Sequence, residues 1–250
     1  ADILNGVNLI NINLEASVYN LDQVVVTGTK TFKRKINSPV IVNVIDSRKL
    51  NSIQACNLAD GLSFQSGIRV ENDCQTCNYT QLRMNGLSGG YSQILINGRP
   101  IFSPLTGLYG LEQIPVNMID KIEIVRGGGS SLYGSSAIGG VVNVITKLVK
   151  KNGFSVGYDY NVISTSANDK IIYGNANFIN NNQTSGAAFF INNRDRDFYD
   201  HNDDNYSELP KIRDHAFGVN LFLTPSKNQK LEMNLGSLYE YRYGGEMLTG

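Results

Sequence analysis

NMIDKIEIVRGGGSSLYGSSAIGGVVNVITK, residues 117–147, is the stretch on which the reading of this chain turns. Ile119, Lys121, Glu123 and Val125 alternate with Asp120, Ile122, Ile124 and Arg126, which is the period of a strand with two unlike faces. Gly127, Gly128 and Gly129 then free the backbone for conformations that a Cβ resists, and Gly139 and Gly140 do so again before Val141, Val142, Val144 and Ile145 resume a strand. Two strands thus flank a compact Gly- and Ser-rich turn. Gly-rich loops can cradle phosphate by aiming backbone N–H groups at it, but the spacing here argues against that. A P-loop needs Gly-Lys-Ser/Thr, and no Lys lies between Arg126 and Lys147. Counted from Gly127, the dinucleotide pattern puts Leu132 where its third Gly belongs.

Residues 122–127, 131–134 and 137–147 resemble the end of the plug domain of TonB-dependent outer-membrane receptors almost residue for residue. In that family an Ile-Glu-x-Ile/Val-x-Arg-Gly strand leads through Ser-x-Leu-Tyr-Gly to Ala-Ile-Gly-Gly-Val-Val-Asn-Ile-Ile-Thr-Lys. The resemblance implies an α+β plug domain followed by the first strands of an antiparallel transmembrane β-barrel, with about 22 strands in the complete protein. It divides the chain into residues 1–20, the tail of a preceding β-sandwich or a linker; 21–30, the TonB box; 31–148, the plug; and 149–250, the first five barrel strands.

Composition is compatible with this. The 22 Lys and Arg balance the 22 Asp and Glu, so no net charge draws the chain to nucleic acid or anionic lipid. With 25 Gly, 13 Tyr and no Trp it suits a turn-rich β protein. No run of apolar residues reaches the roughly 18 of a membrane helix, although barrel strands, apolar only at alternate positions, need none. Ala1 opens no signal peptide; either export was followed by cleavage or the numbering starts inside a longer chain.

Leu21, Asp22, Gln23, Val24, Val25, Val26 and Thr27 form a β-branched run closed by Gly28. It reads either as an ordinary strand or as an exposed one that a partner completes by edge addition. Its place before the plug favours the second, and it resembles the TonB box captured by the periplasmic domain of TonB.

Within the plug, Val40, Val42, Val44 and Asp46 predict a strand, and Asp46-Ser47-Arg48-Lys49-Leu50 a capped helix start, continued by Leu58, Leu62 and Phe64 into one short, irregular helix. Asn97-Gly98 predicts a type I′ hairpin where the family carries Asp-Gly. Cys56, Cys74 and Cys77 are too few to hold zinc, with two distant His, and the polar surroundings of Cys74 and Cys77 do not suit a redox helix N-terminus. In the oxidising compartment that the resemblance implies, a local Cys74–Cys77 disulfide is expected. Pairing of Cys56 with Cys74 or Cys77 is the alternative. The resemblance also makes residues 71–79 and 102–109 apical loops facing an outer vestibule. Asn72, Asp73, Gln75, Asn78, Tyr79, Ser103, Pro104, Leu105, Thr106 and Tyr109 are then the ligand-contact candidates, a mixed apolar and hydroxyl surface suited to a large flat ligand. Solvated loops without a ligand are the bland reading. Residues 72–109 are most similar to the plugs of cobalamin and haem receptors of Bacteroidota.

From Gly153 onward, segments of about ten alternating residues read as barrel strands at 154–163, 171–181, 186–194, 215–224 and 230–243. Tyr239, Tyr241 and Tyr243 suit an interfacial girdle. With the first strand running outward, 180–184 and 225–229 are inner turns and 195–214 a long outer loop. Asp195, Asp197, Asp200, Asp203 and Asp204 in that loop are candidates for calcium, as in similar cobalamin receptors, against a plain solvated acidic loop; His201 as a haem ligand is a weaker rival.

The family implies energy-coupled import of a scarce large ligand, cobalamin or haem, with no covalent chemistry and no required cofactor. The implied partners are TonB with inner-membrane ExbB and ExbD, and a surface-exposed lipoprotein as in similar receptors. The alternative is a receptor-like structural or assembly component of an outer-membrane surface complex without transport of its own. An enzyme is poorly supported, since no Ser/His/Asp or Cys/His constellation is present.

Overall fold

A computed structural model describes residues 23–72, 80–100, 111–147, 151–164, 166–226 and 228–247. Two short strands, β1 (Val24–Val25) and β2 (Lys33–Arg34), pair antiparallel at the start. There follow β3 (Val42–Asp46), helices α1 (Ser47–Ser52) and α2 (Leu58–Ser63), and the hairpin β4 (Ile68–Asn72) and β5 (Thr80–Met84). Next come β6 (Ser92–Ile96), β7 (Arg99–Pro100), β8 (Ile119–Arg126), the single turn α3 (Ser130–Tyr133) and β9 (Gly140–Thr146). The central sheet has the order β3-β8-β9-β6-β7, with β6 parallel to β9 and the other neighbours antiparallel.

This sheet is covered on both faces, which is why β8 and β9 lie among the most buried strands. Ile122, Ile124, Val142 and Val144 pack against Leu50, Leu58 and Leu62 of the helices. On the other face Val125 and Val141 join Val25, Val42, Leu95 and Ala137. A register shift between Ile119 and Lys121 moves Ile119 into the first of these groups. The alternation in the sequence assigns it to the face of Glu123; the extra residue of a bulge reverses the side for everything before it.

The helical segment is two helices rather than one. Asp46 caps α1 by accepting from the Lys49 N–H at 2.9 Å, Gln54 then adopts φ +52°, and Asn57 restarts the helix through a reciprocal capping box with Asp60. Asn97 and Gly98 take φ +50° and +78°, as the type I′ hairpin joining β6 to β7 requires. Gly127 and Gly128 sit at φ +67° and +61°, turning the chain out of β8 at low cost because neither carries a Cβ.

Five long strands, β10 (Gly153–Ile163), β11 (Ala167–Ile179), β12 (Ser185–Arg196), β13 (Lys211–Ser226) and β14 (Gln229–Tyr243), form one antiparallel meander. Register sets Ile191 opposite Phe217, Val219 opposite Leu235, and Leu221 opposite Met233, so one continuous face is apolar and exposed. Asn175, Asn192, Arg194, Asn220, Asn234 and Arg242 occupy the other, which faces the plug. No helix among the described residues is long and apolar enough to cross a membrane, which says nothing of strands. β11 and β13 begin four residues earlier than the alternation suggests, at Ala167 and Lys211, and the outer loop shrinks to 197–210. Beyond the apolar band the ladder continues through opposed charges, Asp169 with Arg196 and Asp195 with Arg213, which stabilise cross-strand pairs without hydrophobic alternation.

Candidate functional site

The described part of the candidate box, residues 23–27, lies against the plug and is held there by polar atoms of the central sheet. Glu123 on β8 has no exposed surface. Its Oε2 accepts from the N–H of Val26 and of Thr27, both at 2.9 Å, and from the Thr27 hydroxyl at 2.6 Å. Its Oε1 lies 2.7 Å from the Lys121 ammonium, which also donates to the Val24 carbonyl. Asn143 on β9 donates to the Thr27 hydroxyl at 3.0 Å, and the Tyr133 hydroxyl to the Thr27 carbonyl at 3.0 Å. Val25 is buried beneath. Burial pushes the Glu123 carboxyl up, but the Lys121 ammonium, the Thr27 hydroxyl and the two N–H groups outweigh it and hold the carboxyl below its ordinary value. Burial and the charge of Glu123 raise the Tyr133 phenol, so it remains a donor.

Glu123, Lys121, Tyr133 and Asn143 were not legible as partners of this segment. One signal was present: a carboxylate and an amide stand where the apolar sides of β8 and β9 continue, and buried polar groups demand partners.

The other candidates fare differently. Leu21 and Asp22 lie outside the described residues. So do Asp73, Gln75, Asn78, Tyr79, Ser103, Pro104, Leu105, Thr106 and Tyr109, together with Cys74 and Cys77; Asn72 is described only as the last backbone position of β4. Cys56 is a free thiol, and both partners of its alternative pairing, Cys74 and Cys77, lie outside the described residues. Burial and the Asp60 carboxylate push the Cys56 thiol up to about 11, which keeps it protonated and unreactive.

The acidic loop does not gather its carboxylates. Among the described residues no group of three or more His, Cys, Asp or Glu is placed to hold a metal ion. Asp200 accepts from the Asn205 N–H at 2.9 Å, Asp204 from the Tyr206 N–H at 2.8 Å, and Asp197 from Asn168. These side chains cap turns within the loop and at its base, as Asp does when backbone donors lack ladder partners. The Tyr199 hydroxyl lies 2.7 Å from His201 Nδ1.

Plug and wall are joined by polar contacts. Asn117 donates to the Ile191 carbonyl at 3.1 Å, and Glu112 pairs with Arg242 of β14. Beside them Arg194 grips Asp169 with two parallel bonds at 2.9 and 2.6 Å. A polar gap of about 530 Å³ between α1 and the wall is lined by Asn51, Gln54, Asn117, Tyr173, Asn175 and Asn192.

Residues 34–141 match the family model described as the TonB-dependent Receptor Plug Domain. The vitamin B12 transporter BtuB of Vibrio cholerae serotype O1 (strain ATCC 39541 / Classical Ogawa 395 / O395) is 32% identical over 135 residues, 54% of this chain and 22% of that protein. The iron-regulated outer membrane virulence protein of the same strain is 35% identical over 118 residues, 44% of this chain and 18% of its own length. The chain therefore spans about a fifth of the curated relatives it matches. The ferric citrate transporter FecA in its unliganded form superposes with a TM-score of 0.72 at 17% identity, over 84% of this chain and 32% of that one, a likeness of fold. Residues 34–141 are thus a plug domain of the TonB-dependent receptor type, and the strands that follow, with their apolar face pointing away from it, resemble the start of the barrel wall of such outer-membrane receptors.

Proposed function

We propose that the complete protein imports a scarce ligand too large for porins across the outer membrane, with energy delivered through TonB, ExbB and ExbD. The carrying observation is the segment 23–27 docked on the plug sheet by Glu123, Lys121, Tyr133 and Asn143. A β-branched strand held at its ends by a few polar groups, next to a plug bonded to a barrel wall, is what an energy-transmitting handle requires. The ligand is a corrinoid, with haem the second choice; the likeness to vitamin B12 transporters supports the first, and the likeness to an iron-regulated protein keeps an iron compound in view. The work is binding and conformational change rather than covalent chemistry. A surface lipoprotein and calcium in the outer loop belong to the same reading, calcium with the least support. Deleting residues 21–27 from the complete receptor tests it: uptake of labelled cobalamin or haem falls to background while surface binding persists. An intact protein that shows no such uptake, in a surface complex that survives the deletion unchanged, would favour a structural component of that complex. Purified receptor should carry, or take up, the absorption bands of a corrin or of haem.

A further inference from the structure

The main-chain groups of residues 23–27 are almost all engaged by the plug and its own edge. The Gln23 carbonyl accepts from Lys35 N–H at 2.7 Å, and Val24 and Val25 pair with Arg34 and Lys33. The Val24 carbonyl takes the Lys121 ammonium, the N–H groups of Val26 and Thr27 take Glu123, the Val26 carbonyl accepts from Thr29 N–H at 3.3 Å, and the Thr27 carbonyl takes Tyr133. A partner that captures a strand by edge addition bonds to these same N–H and C=O groups. Docking on the plug and capture by such a partner therefore exclude each other. Three of the donors converge on one atom, Glu123 Oε2, and Asn143 fixes the direction of the third by donating to the Thr27 hydroxyl.

We infer that Glu123 is the latch residue of this receptor: a positioning group whose carboxylate keeps residues 23–27 docked, and whose loss exposes that segment to TonB without any transported ligand. The inference rests on the reading of residues 21–27 as the TonB box. When the competent state is a small fraction of the total, the observed affinity is the intrinsic one scaled by that fraction. Removing the latch thus tightens capture without touching the captured segment.

The complete receptor in outer-membrane vesicles, carrying Val25→Cys as a reporter, tests this. Position 25 is buried when docked and open to a thiol reagent when released. Glu123→Gln and Glu123→Ala are expected to speed alkylation at position 25 by about tenfold or more with no transported ligand present, and to tighten binding of the isolated TonB periplasmic domain by a similar factor. Thr27→Val removes the hydroxyl from the segment side and leaves the sheet intact, so it should speed alkylation too. If alkylation rates are unchanged in all three variants, or rise in the Glu123 variants alone, the latch is overturned while the identity of the box stands. Faster alkylation in all three, with no binding of the TonB domain to any receptor, would overturn the identity of the partner instead and remove TonB from the inference.

Discussion

At the scale of single residues, Glu123 couples charge to docking in a direction that can be worked out. Its carboxyl, ordinarily near 4.5, is lowered when residues 23–27 are docked. A group lowered in this way contributes stability that is fully present above its ordinary value and is lost as pH falls through the docked value. Docking should therefore be flat from neutrality down to about pH 5 and weaken only in stronger acid. A nitroxide attached at Val24→Cys reads this as an immobile spectrum that becomes mobile below the ordinary carboxylate range; mobilisation on mild acidification would contradict it. Gly140 is a second single point of sensitivity, at φ +149° with space for a Cβ only 2.5 Å from Met84 Sδ and 2.6 Å from the Val125 carbonyl. Gly140→Ala should destabilise the plug by roughly 2–4 kcal/mol, seen as protease cleavage of the plug in receptor whose barrel is still folded.

Among the elements, the hairpin of β6 and β7 is tied to β9 at two side chains, Asn143, which accepts from the Gly98 N–H at 2.9 Å, and Asn97. Asn97 donates to the Thr146 hydroxyl at 2.8 Å and accepts from the Thr146 N–H at 3.0 Å. Asn97→Asp keeps the acceptor and lets the Thr146 hydroxyl rotate to donate, so its cost should stay under about 0.5 kcal/mol, whereas Asn97→Ala loses both bonds at positive φ and should cost about 2–3 kcal/mol. Calorimetry of the plug transition in the complete receptor separates the two. β8 itself joins two regions: Glu123 holds the box segment, and three residues on Arg126 donates to the Ser66 carbonyl at 3.2 Å, at the foot of the β4–β5 hairpin.

On the scale of the whole molecule, the two faces of the wall make opposite demands. Phe217, Val219, Leu221 and Leu223 continue one apolar band with Leu231, Met233 and Leu235, and Tyr239 and Tyr241 lie above it on the same face, as an interfacial girdle does. Leu221→Arg should cost about 2–4 kcal/mol in reversible unfolding from lipid vesicles, and Asn234→Lys, on the face toward the plug, less than about 1 kcal/mol. Equal costs would mean that the band does not face lipid. Toward the plug, Glu112 and Arg242 leave little exposed surface on either side chain. Arg242 also pairs with Glu240 at 3.1 Å, so removing Arg242 takes a cationic partner from two little-exposed carboxylates at once.

Local pattern was enough for much of this. The turn at Gly127 and Gly128, the Asn97-Gly98 hairpin and the five wall strands follow from backbone freedom and side-chain period, both properties of a few adjacent residues. So did the family, because the motif in residues 117–147 is contiguous. The bulge that turns Ile119 over, the break that makes two helices of one, and the extension of β11 and β13 past the apolar band depend on what each residue meets across the sheet. The latch is the extreme case: Glu123 lies 96 residues from Thr27, and β8, β9 and α3 each supply a polar group to the same short segment. Sequence by itself determined which stretches become strands, turns and membrane wall, since those choices are made by neighbours along the chain; which buried carboxylate finds which donors was decided only by the tertiary structure, because desolvation compels a partner without saying where in the chain it lies.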